Sequence, residues 1–229
     1  MAQGSDERRL DLHVHSRFSP DGEMTPAELV NAAVDHGLAG LALTDHNSTS
    51  GIGPAREAAL KHPGFLVIPG IEISSADGHV LALGVRDPIP AGLPVNETVE
   101  RILAAGAVPV ASHPFRNFTG LDESQIRGAR FQALEALNGR SPNRKNLRAC
   151  RLAVSLGLGL SAGSDGHRPV EVGRCCVVVD GEPGGADDFL EMVRKGKTRT
   201  WGRSAGLMDV ARTAAKIGRE LITRRGKRI

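Results

Sequence analysis

His13 and His15 stand one residue apart in the apolar stretch "LDLHVH" and run into a polar, glycine-containing turn, "SRFSPDG". In a strand, alternation puts Leu10, Leu12 and Val14 on one face and Asp11, His13 and His15 on the other, so one face is oily and the other can hold a cation. An isolated H-x-H is equally well explained by hydrogen-bonded core histidines. Further residues of the same chemical type recur, however: Asp45 and His46 in "TDHN", Glu72 in "GIEIS", His79 in "GHVLALG", His113 in "SHPF", and Asp165 with His167 in "SDGH". Neutral imidazole and carboxylate are ligands for Zn, Mn and Fe, and the lack of thiolates in the set argues for an open catalytic site over a closed structural zinc. So many donors exceed the needs of one ion, which implies two or three divalent ions bridged by a carboxylate.

These residues need elements that bring them together. Apolar runs of strand length fall at Leu10–His15, Gly40–Thr44, Leu66–Pro69 continuing through Gly70–Ile73, His79–Val85, Val108–Ser112, Ala133–Leu137, Leu158–Ala162 and Arg174–Val179. Helix-like segments alternate with them, the pattern of parallel β/α units. "TPAE" marks a helix start, with Thr25 as N-cap, Pro26 in the first position and Glu28 completing a capping box before a stop at Gly37. Asn96 is expected to cap the helix that ends at Gly106. Such units close into a barrel or open into a doubly wound sheet. On this map His15, Asp45, His46, Glu72, His113, Asp165 and His167 sit at the carboxyl ends of strands, the face where barrel active sites form. Six of the eight histidines take part, leaving His36 and His62 in helix-like segments.

In their order, "DLHVHSRFSPDG", "LTDHN", "GIEIS", "GHVLALG", "SHPF" and "GSDGH" resemble the polymerase and histidinol phosphatase (PHP) family of metal-dependent phosphoesterases, with a layout most similar to the TrpH-like branch. The resemblance spans residues 11 to 167. It implies an α/β fold, a distorted seven-stranded β/α barrel of TIM-like form, and a trinuclear metal site. Carried over by motif, His13, His15, Glu72 and Asp165 would hold one ion, Asp21, His46 and His167 a second, and His79 and His113 a third that shares Glu72. Asp21 stands where some relatives have histidine, which makes the second ion harder and leaves Mn, Zn and Fe all open. A strand-start histidine such as His79 also fits substrate binding. Glu72, Asp165 and His167 are the expected catalytic groups. The chemistry implied is attack on phosphorus by a metal-activated hydroxide, with cations stabilising the equatorial oxygens.

Around the motifs, Asp11 and Asp45 are expected to orient imidazoles. Arg17, Arg116 and Arg168 each follow a motif closely enough to fork onto a phosphate, in that order of preference after Arg116. Asn138, near Glu135 at the end of its strand, fits a turn or a substrate contact. Composition bounds the rest. With 40% hydrophobic and 24% charged residues, the chain reads as a globular domain over residues 1–203, followed by a basic C-terminal helix or tail over 204–229. Of 29 basic residues, twelve lie from Arg194 onward against two of the 26 acids, so the body is acidic. No apolar run approaches the ~20 residues of a transmembrane span. The polar N-terminus and three unpatterned cysteines suit a cytoplasmic location. The scarcity of aromatics disfavours a base-stacking platform for nucleic acid. The function expected is hydrolysis of a phosphate monoester of a small metabolite or nucleotide. The alternatives are phosphodiester cleavage at nucleic-acid ends and a non-catalytic PHP module, whose expected sign, lost ligands, is absent.

Overall fold

The computed structural model describes residues 7–206. Nine strands, β1 (Glu7–Val14), β2 (Gly40–Leu43), β3 (Leu66–Ser74), β4 (His79–Leu83), β5 (Val108–Ala111), β6 (Ala133–Asn138), β7 (Gly159–Gly163), β8 (Cys175–Asp180) and β9 (Arg199–Gly202), form one sheet in the order β7-β6-β5-β4-β3-β2-β1-β8-β9. Beyond β7 the chain returns to β1: Asp165 N–H donates to His13 O, His15 N–H donates to Gly166 O, and Val14 bridges Gly166 in parallel. Seven strands thus make a distorted, nearly closed barrel. The amino half of β1 pairs instead with β8.

The expected all-parallel pattern holds only in part. β4 runs antiparallel to both β3 and β5, and β8 runs antiparallel to β1 and β9. The four-residue link between β3 and β4 forces the first reversal, because a parallel crossover needs about a dozen residues. β9, unforeseen in the sequence, adds a short polar edge with the pattern RTWG.

Helices α1 (Pro26–Asp35), α2 (Ile52–Ala59), α3 (Val95–Ala104), α4 (Glu123–Gly128), α5 (Asn143–Leu156) and α6 (Ala186–Arg194) link the strands. Thr25 caps α1 through the full capping box, with Glu28 reaching back to the Thr25 N–H. Asn96 does not cap α3: the helix begins one residue earlier, at Val95, with Pro94 as its N-cap. Proline fixes φ near the value needed there and has no N–H to leave unsatisfied.

One buried cluster draws on every strand from β1 to β8 and on α6, including Leu10, Leu12, Ile68, Leu83, Val110 and Phe189. It fills the barrel interior, each fully buried Leu, Ile or Phe contributing about 1.5–3 kcal/mol. Strict alternation along β1 fails at the rim. The pairing with β2 slips between Asp11 and Val14, and while Leu12 joins the interior cluster, Val14 packs outward with Leu29 and Val30 of α1. A bulge of this kind re-aims side chains, and it turns His13 and His15 inward. In β6 plain alternation suffices for Glu135, which is in register and shares the inward face with Ala133; the slip in that strand falls only after Glu135.

Candidate metal centre

Glu72, 1% exposed near the end of β3, is the hub of the rim. Its Oε1 lies 3.0 Å from His79 Nδ1, 2.9 Å from His113 Nε2 and 2.9 Å from the Ser112 hydroxyl, which donates to it. Its Oε2 lies 3.2 Å from His13 Nε2, 3.4 Å from His15 Nε2 and 3.2 Å from His46 Nδ1. Five imidazoles therefore face one carboxylate. His79 reaches the rim because β4 is antiparallel: Ser74 and His79 are register partners, so the start of β4 lies beside the end of β3.

The rings are held from behind. His13 Nδ1 sits 3.0 Å from Glu135 Oε1, and the other oxygen of Glu135 accepts the His113 N–H at 2.6 Å. This carboxylate–histidine pairing fixes the tautomer that presents His13 Nε2 to the centre. Ser19 Oγ lies 3.1 Å from His15 Nδ1 and accepts the His46 N–H. Asp11 and Asp45 act differently from expectation. Asp11 accepts backbone N–H groups of His13, Ser164 and Gly173, and Asp45 accepts from the N–H and hydroxyl of Ser16. They lock the loops that carry the ligands; no described hydrogen bond ties either to an imidazole ring.

Asp165 and His167 enter from the loop after β7. Asp165 Oδ2 is 2.7 Å from Arg116 Nη1 and accepts from Asn138 Nδ2 at 3.3 Å, while Oδ1 is 3.6 Å from His15 Nε2. His167 Nε2 is 2.9 Å from Asp21 Oδ2, and His167 Nδ1 lies 2.9 Å from Arg140 Nη1. Arg140 is the residue sequence reasoning missed. Its signal was the "NGR" directly after the strand of Glu135. Asp165 and His113 hold positive φ of 55° and 27°, rare for residues with a side chain and concentrated at functional sites.

All nine candidate ligands gather here. Three groups have ligand atoms close enough to share an ion: His13, His15 and Glu72; His15, Asp21, His46 and His167; and His46, Glu72 and His79. The grouping differs from the motif-based one, since His15 and His46 each belong to two groups and Asp165 leans toward Arg116. Of the proposed substrate contacts, Arg116 and Asn138 meet at the rim, where Arg116 Nη2 donates to Asn138 Oδ1 at 2.5 Å. Asn138 also accepts the Arg140 N–H, so it is both turn and site residue. Arg17 is exposed on the turn after β1, where its charge acts on Glu28. Arg168 pairs with Glu171, whose carboxylate also accepts the His167 N–H.

The donor set fits divalent cations. His13 Nε2, His15 Nε2 and His46 Nδ1 are buried, make no hydrogen bond, and all lie within 3.4 Å of one carboxylate oxygen. Buried polar atoms are rarely left so, and a shared cation satisfies all of them. Burial lowers the pKa of His15 to about 3 and of His113 to about 4, which favours the neutral, ligating imidazole. Burial pushes Glu72 and Asp165 up, but His13 and the ring hydrogen bonds for the first, and Arg116 and His13 for the second, hold both well below the usual carboxylate range.

Comparison with known proteins agrees with this geometry. Residues 11–136 match the PHP domain family, and residues 143–198 match the PHP-associated family. The chain is 41% identical over 86 residues to a 3',5'-nucleoside bisphosphate phosphatase of Chromobacterium violaceum, covering 36% of this chain and 30% of that enzyme. It is 41% identical over 80 residues to the 5'-3' exoribonuclease Rnm of Escherichia coli, covering 33% of this chain and 27% of that enzyme. The chain thus spans under a third of either enzyme. A solved two-domain protein from Bacteroides vulgatus, containing a predicted PHP-like metal-dependent phosphoesterase, is similar in fold, with a TM-score of 0.72 and 22% identity over 92% of this chain and 69% of that one.

Proposed function

The chain belongs to the PHP-domain family of metal-dependent phosphoesterases, and on that premise we propose that it hydrolyses a phosphate monoester of a small metabolite or nucleotide. The observation that carries the metal dependence is the trio of orphaned nitrogens on His13, His15 and His46 around Glu72 Oε2. In this reading His13, His15, Asp21, His46, Glu72, His79, His113, Asp165 and His167 hold two to three divalent ions, of Mn, Zn or Fe. Bound ions of this kind lower the pKa of coordinated water toward ~7 and withdraw charge from phosphoryl oxygens.

The protein's own groups supply the rest. Glu135 keeps His13 in its ligating tautomer. Glu72, whose two oxygens face five imidazoles, would offset the charge of the ions held there. Arg116 and Arg140 bracket Asp165, and their guanidiniums suit the equatorial phosphoryl oxygens, where charge accumulates. Asn138 orients Arg116. Asp21, bonded to His167 and 41% exposed, stands at the mouth, where a proton passes most easily between site and solvent.

Cleavage of diester bonds at nucleic-acid ends is the second reading, supported by the similarity to exoribonuclease Rnm. Phosphate and nucleotide release from AMP, adenosine 3',5'-bisphosphate and a 5'-phosphorylated oligoribonucleotide, each with Mn, Zn or Fe, separates the two. The proposal expects chelator-sensitive phosphate release from the mononucleotides at the higher kcat/KM. Preferred release of nucleotides from the oligomer favours the exonuclease, and no release from any of them contradicts both.

A further inference from the structure

Of the six phenylalanines in the chain, only Phe18 and Phe118 are exposed, and both stand on loops that carry rim ligands. Phe18 lies between His15 and Asp21, and Phe118 lies beyond His113 on the loop that leaves β5. A single exposed apolar side chain is ordinary. Phe118 differs in being both fully exposed and strained. Its φ is 70°, a left-handed value that a bulky residue rarely adopts and that concentrates at functional sites. The loop around it is fixed. The Arg116 N–H donates to His113 O, the Gly120 N–H donates to Arg116 O, and the Phe115 N–H donates to Leu121 O. Lys145 Nζ donates to Asn117 Oδ1 at 2.7 Å, which ties the tip to α5. Phe115, also at positive φ, packs against the core with Arg148 over its ring, so this loop buries one phenylalanine and presents the other to solvent.

Its neighbours in the chain touch the site on both sides. Two residues before Phe118, Arg116 lies 2.7 Å from Asp165; one residue after it, Thr119 O accepts the His79 N–H at 2.8 Å. Two residues of chain span at most about 7 Å, so a molecule with its phosphate on Arg116 has its next group within reach of Phe118. Resting on the phosphomonoester reading above, we propose that Phe118 is a specificity-determining residue whose ring stacks on a flat base or other aromatic group of the substrate. A phenyl ring offers a π-face and no hydrogen-bonding group, so it favours a flat ring without distinguishing one base from another. Phe118 thereby selects nucleotides over sugar phosphates that carry no base.

Kinetics of the manganese-loaded protein with AMP and with ribose 5-phosphate, which lacks only the base, test this directly. Phe118→Ala is expected to raise KM for AMP roughly tenfold, the size of losing one base–aromatic stack, with kcat within about twofold and ribose 5-phosphate turnover unchanged. Phe118→Trp is expected to restore the KM for AMP, and Leu60→Ala, at an exposed leucine that ends α2, to change neither substrate. Calorimetry with a phosphonate analogue of AMP, in which carbon replaces the ester oxygen, reads binding without turnover and is expected to show the same loss in Phe118→Ala. Circular dichroism checks that the variants are folded. A native protein that hydrolyses neither ester contradicts the proposed function, and binding of the analogue then judges Phe118 alone. The inference is overturned if the native protein does not bind the analogue, if folded Phe118→Ala binds it as the native protein does, or if ribose 5-phosphate loses as much as AMP.

Discussion

At the residue scale burial keeps two rim imidazoles, His15 and His113, neutral beside the charged Glu72 and Asp165, and this has a pH signature. The folded pKa values of about 3 for His15 and about 4 for His113 lie below the ~6.5 of an unfolded imidazole. A histidine shifted in this direction contributes stability that is full above ~6.5 and is lost as the pH falls toward the folded value. Two such groups give a slope of at most about 2.7 kcal/mol per pH unit. His13 does not offset this loss. Burial lowers its pKa, but Glu72, Glu135 and Asp165 together raise it well above the usual value, so its contribution is full below ~6.5 and declines only at higher pH. The chelator-treated protein is therefore expected to melt at steadily lower temperature as the pH is taken from ~6.5 to ~4.5. A melting temperature independent of pH across that window, measured by circular dichroism, would contradict the assignment of neutral buried histidines. The site residues legible in the sequence were those whose type alone marks them. Arg140, an ordinary arginine in a turn, became visible only through its 2.9 Å approach to His167.

At the element scale the site depends on how closely the end of β7 approaches β1. A Cβ on Gly163 would lie 2.2 Å from His13 Cβ and 2.6 Å from His13 N, so only glycine lets the barrel close there. Gly163→Ala is expected to destabilise the fold by roughly 3 kcal/mol, the upper part of the overpacking range, and to weaken metal binding. Retention of native stability and metal content, by chemical denaturation and elemental analysis, would show that β7 can shift without harm. Eight strands were legible as apolar runs, because hydrophobic patterning survives any topology. The direction of β4 was not, since a run of apolar residues reads the same either way. That missing fact left His79 ambiguous, and the register of Ser74 with His79 brings it to the rim. The bulges in β1 and β6 were equally hidden: alternation predicts the wrong partner for Val14, and only the slipped pairing explains why Leu12 and His13 both face inward. β9 escaped notice because RTWG lacks the apolar run by which strands are recognised.

At the scale of the whole molecule, an acidic body carries a basic C-terminal segment. The expected tail helix lies outside the described residues from 207 onward. Ser204 and Ala205 belong with the body: Asn146 Nδ2 donates to Ser204 Oγ, the Ala205 N–H donates to Ser141 O, and the same Asn146 accepts the Asn138 N–H. Truncation after Gly206 is expected to leave phosphomonoester turnover within roughly twofold, because no candidate ligand is removed. A folded truncation without turnover would assign the tail to the site. No helix among the described residues is long and apolar enough to cross a membrane. The central claim, that Glu72 joins the ions on which hydrolysis depends, is tested most directly by metal content and phosphate release measured together on Glu72→Gln and on Glu123→Gln, the latter altering a surface pair with Arg127 and Arg148. Glu72→Gln is expected to lose more than one equivalent of metal and to slow turnover by roughly 10²-fold or more, the effect of removing one electrostatic element of a catalytic site. Metal content and turnover equal to those of Glu123→Gln would contradict it.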